Sequence, residues 1–385
     1  MSIAIDTDYL ITTLTDLVRI NSVNPSLEPG APGESAIAEY VDHAMREMGL
    51  VVDRHESVAG RPSIVGRLKG MGGGRSLMLN AHYDTVGVTG MPDPFSASIR
   101  DGKLYGRGAY DMKGSLAACM AAVRALQQGG IGLAGDVLIA AVADEENSSI
   151  GTAEVIDRYE VNGAVVTEPT ELDICLAHKG FVWLEVEVEG RAAHGSRPDL
   201  GIDANMHMGR ILAHLEWLNR ELADRPPHRF VGVPSLHAAL LHGGTAASVY
   251  AAACQLTIER RTVPGESEPQ VAREIQEILD ELSSADPEFT VQQRTTLVRE
   301  PFEVSIDSPI VRNVERAVEQ VTGDQPIHAG QGPWMDSALL AAAGVDTVVI
   351  GPAGGGAHSD EEWVELESVE KLVGILGETA IQYCG

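Results

Sequence analysis

Four short, largely apolar runs each deliver a residue that binds hard cations or moves protons, and this recurrence constrains the chain more than any other feature. Residues 77–81 lead into His82, and residues 137–142 into Asp144-Glu145-Glu146. Residues 163–167 lead into Glu168, and residues 347–350 pass through a glycine-rich loop to His358. Apolar runs of this length bounded by turn formers read as strands buried on both faces, the mark of parallel sheet covered by helices. In open α/β sheets ligands gather beyond the carboxyl ends of the strands, so four strands here aim hard side chains at one rim.

The adjacent pair Glu145-Glu146 sharpens the argument. On extended chain the two point to opposite sides and can hold different tasks. Taken alone, such a pair is most often a solvated loop start. At the mouth of a buried strand, however, two carboxylates are costly unless a cation neutralises them. Asp111 adds a further carboxylate from the glycine-punctuated loop 106–114. Two histidines with several carboxylates and no cysteine suit Zn²⁺, Co²⁺ or Mn²⁺ instead of a thiolate zinc site. Five candidate ligands exceed one ion's needs and fit two ions that share a bridging carboxylate.

Helical spacing covers residues 9–18, 35–48 and 115–126, the last closed by Gly129-Gly130. Near Phe181 the pattern changes: Leu184, Val186 and Val188 alternate with Glu185, Glu187 and Glu189, as in a half-exposed strand. A helix with Met208, Ile211, Leu215 and Leu218 on one face follows, then strand candidates at 235–242 and 249–259, a helix at 268–282 and a strand at 289–294. That order is β-α-β-β-α-β, a split ferredoxin-like unit. After Pro301 the α/β pattern returns, with helices at 310–321 and 369–383. At 385 residues the chain exceeds what one core usually serves. The expectation is an α/β catalytic domain over 1–179 and 297–385, with a mixed, mostly parallel sheet flanked by helices. An α+β domain over 180–296 is inserted in it.

The net charge of −28 argues against nucleic acid or an anionic membrane as partner. Four scattered cysteines without a CxxC pair, no basic and apolar leader and no run of spanning length point to a cytoplasmic protein with reduced thiols.

The quoted stretches, with His82-Tyr-Asp84-Thr-Val, Gly106-Arg-Gly-Ala-Tyr-Asp111-Met-Lys-Gly, Asp144-Glu-Glu146, Thr167-Glu168-Pro-Thr and Gly356-Ala-His358-Ser-Asp-Glu-Glu, resemble the M20 metallopeptidase family across essentially the whole chain. The resemblance implies one metal on His82 and Glu168, another on Glu146 and His358, and Asp111 bridging them. It implies that Asp84 orients His82 through the ring N–H, that Glu145 is the general base, and that the Asp111–Met112 peptide is cis. It further implies that the inserted domain is a lid through which relatives dimerise.

His194 on its own reads as a turn histidine; the stretch Arg191–Arg197 resembles that around the family's oxyanion-stabilising histidine. Arg261, ahead of Pro264-Gly265, resembles the arginine that clamps a substrate carboxylate. The family often carries Asn-Val-Ile-Pro where this chain reads Ser248-Val-Tyr-Ala, so the usual amide contact to substrate is altered. Gly355 and Gly356 either offer N–H groups to that carboxylate or only permit a turn. Asp336 reads as support for the rim.

The resulting expectation is a homodimeric, dinuclear, most simply zinc-dependent hydrolase that cleaves the amide bond of an N-acyl amino acid, similar to acetylornithine deacetylase-like members. Glu168 favours deacylase and carboxypeptidase members, since aminopeptidase members more often have Asp there. The rivals are a glutamate-carboxypeptidase-like exopeptidase or dipeptidase, and a non-catalytic metal-binding relative.

Overall fold

A computed structural model describes residues 3–385. The chain divides into two compact units: one of residues up to Leu176 with Val304–Ala329 and Met335–Gly385, the other of Ala177–Glu303 with Gly330–Trp334. The second unit is thus wider than the 180–296 read from sequence, because strand Gly180–Glu189 is flanked by paired residues: Ala177 and His178 lie against Glu303 and Phe302.

The first unit is built on a mixed sheet. Its order is Val51–His55, Ser63–Leu68, Val137–Val142, Leu77–His82, Gly163–Val166, Asp346–Val349 and the first three residues of strand Ile174–His178. The four strands from Val137–Val142 to Asp346–Val349 run parallel, and the strands on either side join antiparallel. These four are the runs singled out in the sequence, now side by side. Every residue of Leu77–His82, Val137–Val142 and Gly163–Val166 is buried, which is why they read as continuous apolar stretches. Each large aliphatic side chain so buried contributes roughly 1.5–3 kcal/mol.

Helix Gly114–Gln128 is rich in alanine and buried on nearly every side, as expected of a helix apolar all round. It packs against both the sheet and helix Leu366–Cys384. Helix Ser35–Glu47 instead buries one stripe, Ile37, Ala38, Val41 and Met45.

The second unit has the β-α-β-β-α-β order. Its antiparallel sheet runs Ser235–Gly243, Ala253–Thr262, Gly180–Glu189, Thr290–Arg299. Val182, Leu184, Val186 and Val188 face a core shared with helices Ala204–Ala223 and Glu268–Ala285, while Glu185, Glu187 and Glu189 face outward. The strand expected at 249–259 begins only at Ala253. Val249 instead bridges to His194, and Tyr250 N donates to the Ala193 carbonyl, so these residues brace a loop. Among the described residues no helix is long and apolar enough to cross a membrane, and the four cysteines are buried and form no disulfide.

Candidate active site

Strand ends set the site. His82 is the last residue of Leu77–His82; Glu145 and Glu146 lie three and four residues beyond Val142, and Glu168 two beyond Val166. These strands are neighbours in the sheet, so their carboxyl ends bring residues far apart in sequence onto one rim. His358 follows the turn at Gly356, which sits at φ 78°. A Cβ at Gly356 would meet the Glu361 carbonyl at 1.8 Å, so this turn admits only glycine. Gly355 pairs with Trp363 as backbone. Both glycines therefore have turn and pairing duties.

Asp111 stands between the two histidines. Its Oδ1 is 3.1 Å from His82 Nε2, and its Oδ2 is 3.2 Å from His358 Nε2. Glu168 Oε1 lies 3.6 Å from His82 Nε2, and Glu146 Oε2 lies 3.1 Å from His358 Nε2. Ligand atoms of His82, Glu145 and Glu168 lie within 4.8 Å of one another, as do those of His82, Asp111 and Glu146. The Asp111–Met112 peptide is cis.

The electrostatics follow from crowding. Among the described residues, no lysine or arginine pairs with Asp111, Glu145, Glu146 or Glu168; their only charged partners are the two imidazoles. Burial and the neighbouring Glu168 push the Glu145 carboxyl well above the ordinary range, and burial lifts Glu168 to about 8. Burial raises the Asp111 carboxyl as well, but hydrogen bonds from His358 and His82 outweigh it and hold it far below the usual value. Hydrogen bonds to Asp111 and Glu146 raise the half-exposed His358 to about 10. Four acids around two imidazoles form a donor set that divalent cations satisfy, and two opposite Asp111 oxygens facing two histidines fit a shared ligand.

The structure departs from the expected role of Asp84. His82 Nδ1 donates to the Asp84 main-chain carbonyl at 3.0 Å, while the nearer carboxylate oxygen is 3.6 Å away. The tautomer is set just the same, leaving Nε2 free to face the acids. The Asp84 carboxylate accepts the amides of Glu145 and Glu146, at 3.1 and 3.3 Å. It holds the two glutamates instead of the histidine.

Several polar residues around the rim were not singled out by the sequence reading. Asn24 donates to both Asp84 and Asp144, and Arg61 donates to Glu34 and Asp144, each at 2.6 Å. Asp144 sits at φ 68°, in left-handed backbone, with its side chain fixed by these contacts. Glu34 and Arg61 are 27 positions apart and lie outside any motif, so nothing local announced them. Asp336 is buried and accepts from Thr152; burial lifts its carboxyl to about 6.

In the second unit, His194 is exposed and its Nδ1 lies 2.8 Å from Ser196 Oγ. Gly195 N donates to the Ser248 carbonyl at 2.7 Å, so Ser248 braces the His194 loop through its backbone. Arg261 donates to the Gly332 carbonyl at 2.6 Å, stands 3.9 Å from Glu259, and is pushed below the usual arginine value by burial.

Residues 78–382 match peptidase family M20/M25/M40. The chain is 29% identical to acetylornithine deacetylase of Myxococcus xanthus over 98% of each chain. It is 28% identical to N-formyl-4-amino-5-aminomethyl-2-methylpyrimidine deformylase of Bacillus subtilis, covering 92% of this chain and 91% of the relative. In structure it resembles aminopeptidase PepT of Bacillus cereus with a TM-score of 0.81 at 18% identity, over 99% of this chain and all of that one.

Proposed function

Since the chain belongs to peptidase family M20/M25/M40 and is a metallohydrolase of amide bonds, we propose that it removes the acyl group from an N-acyl amino acid. The observation that carries the hydrolytic reading is the Asp111 carboxylate between His82 and His358, flanked by Glu146 and Glu168. Both curated relatives reported above are named for removing a small acyl group from nitrogen, which favours deacylation over peptide cleavage. The peptidase likeness at 18% identity speaks for the fold alone. A glutamate-carboxypeptidase-like exopeptidase or dipeptidase is the competing enzyme reading.

In this reading His82 and Glu168 would hold one divalent ion and Glu146 and His358 a second, with Asp111 available to both; zinc would suit the donor set, with cobalt or manganese as alternatives. Such ions supply Lewis acidity that polarises the scissile carbonyl and acidifies water. Glu145 takes the proton from the attacking water and returns it to the departing amine nitrogen. The Asp84 carboxylate, through the two amides it accepts, keeps Glu145 and Glu146 on their separate tasks. His194 donates to the oxyanion, and Arg261 receives the substrate carboxylate.

The deciding experiment is hydrolysis of a panel by metal-loaded protein: N-acetylornithine, N-succinyl-diaminopimelate, other N-acetyl and N-formyl amino acids, and a glutamyl dipeptide. Turnover confined to N-acyl amino acids supports the proposal; turnover of the dipeptide alone refutes it. Replacing the bidentate guanidinium by a point charge, Arg261→Lys, should raise KM about 10-fold or more at little changed kcat, the loss of roughly 1.4 kcal/mol of binding. An unchanged KM would remove Arg261 from the substrate site.

We also propose a homodimer formed through the second unit. Strand Ser235–Gly243 is an edge strand with Leu240 and Leu241 about half exposed, the kind of edge a second copy covers. Light scattering at micromolar concentration should give twice the chain mass, and a monomer mass would refute this.

A further inference from the structure

A carboxylate that belongs to none of the ligands holds the Asp111 loop. Glu362 is fully buried. Its Oε1 accepts the amides of Tyr110 and Asp111 at 2.9 and 3.0 Å. Its Oε2 accepts the amide of Gly108 at 3.0 Å and Arg107 Nη1 at 2.6 Å. The main chain joins in, with Gly106 N donating to the Glu362 carbonyl at 3.0 Å. Arg107, itself buried, turns its remaining donors to the Ser359 carbonyl at 2.9 Å and the Gly87 carbonyl at 3.2 Å.

Position gives this cluster its meaning. Glu362 comes four residues after His358, and Ser359 directly follows it. Asp111 and His358 are 358 − 111 = 247 positions apart. The Glu362–Arg107 pair thus clasps the segment that begins at His358 to the loop that presents Asp111. A buried charge pair seldom adds net stability over apolar packing, because both groups lose water. What it does supply is geometry: three amides around one carboxylate fix the Asp111 backbone, and the arginine fork fixes Ser359.

We propose that Glu362 is a positioning residue that sets the Asp111 carboxylate against His358 so that one carboxylate joins two ions. The proposal rests on the dinuclear reading above. Groups that orient ligands in this way typically govern metal affinity by about 10–100-fold.

The test is Mn²⁺ titration of metal-free protein, followed by electron paramagnetic resonance. Wild type should bind two ions that give a spin-coupled pair signal. E362Q keeps one oxygen for two amides but turns an NH₂ toward Gly108 N and Arg107. It should bind the second ion about 10–100-fold more weakly and show the spectrum of isolated Mn²⁺. A folded E362Q with the coupled signal at unchanged affinity would overturn the proposal. Should E362Q fail to fold, E362D, one methylene short of the amides, is read in the same way. E266Q, which disturbs the partly buried Arg260–Glu266 pair of the second unit, serves as control. It should leave the coupled signal intact, and loss there too would refute a specific role for Glu362. If wild type itself binds fewer than two ions, the dinuclear reading fails, independently of how E362Q compares with it.

Discussion

Glu145→Gln is expected to lower kcat about 10²–10⁴-fold, the usual contribution of a positioned general base, while the protein retains its full complement of metal. Glutamine preserves shape and an oxygen but cannot take a proton at working pH. The acid limb of the kcat/KM profile should vanish with it, since that limb reports the base in the free enzyme. Metal analysis beside the kinetics makes the result decisive. Glu145 Oε2 is 3.9 Å from His82 Nε2, and its ligand atoms cluster with those of His82 and Glu168. If the variant loses an ion, Glu145 is a ligand and the base must be sought elsewhere; Asp336, which burial raises to about 6, is then the next candidate.

Removal of metal should have the other large effect. With the ions gone, Asp111, Glu145, Glu146 and Glu168 face one another with two imidazoles as their only charged partners among the described residues. Each ion at a thousandfold over its Kd adds about 4 kcal/mol to the folded state, so chelation of two should lower Tm by roughly 10 °C. The pH dependence has a definite sign. In the metal-free protein burial lifts Glu168 from 4.5 to about 8, so between those values the folded chain holds a proton that the unfolded chain has released. Stability of the metal-free form therefore falls as pH rises from about 5 to 8. His358, raised from 6.5 to about 10, adds stability that is complete below 6.5 and lost through 10, the same direction. Calorimetric scans of chelated protein across this range should show Tm falling; a Tm that rises would contradict the crowded-acid account. Loading with metal should flatten the dependence, because the cations replace those protons.

The sequence was most legible where a single residue type meets a single environment. Leu77–His82 and Val137–Val142 are buried on both faces, so nearly every position is apolar and the strand declares itself. Gly180–Glu189 is buried on one face, and its alternation was equally plain. The rim residues other than Asp111 could be gathered because each follows a buried strand, directly or through a loop. Three things could not be read. Val249 and Tyr250 have strand-like side chains, but their backbone is taken by the His194 loop, a long-range competition that local propensity cannot register. The partner of His82 Nδ1 proved to be a carbonyl, and every residue has one, so sequence cannot choose it. Glu362 and Arg107 lay inside quoted motifs, yet apart from their contact with each other their partners are amides and carbonyls whose direction depends on the folded loop.

The division of ligands between strands bears on when the centre can form as the chain is made. His82, Asp111, Glu145, Glu146 and Glu168 all emerge before the second unit is begun, whereas His358 emerges 358 − 168 = 190 residues later, after that unit is complete. Domains tend to fold as they leave the ribosome, at about 5–20 residues per second. For roughly ten seconds or more, a growing chain therefore owns the first set of acids but lacks the histidine and the Glu362 clasp that complete the centre. With the ligand set proposed above, the hydrolase would stay inert through most of its own synthesis, until Asp346–Val349, the last strand in the chain to join the large sheet, and the His358 segment beyond it had been made.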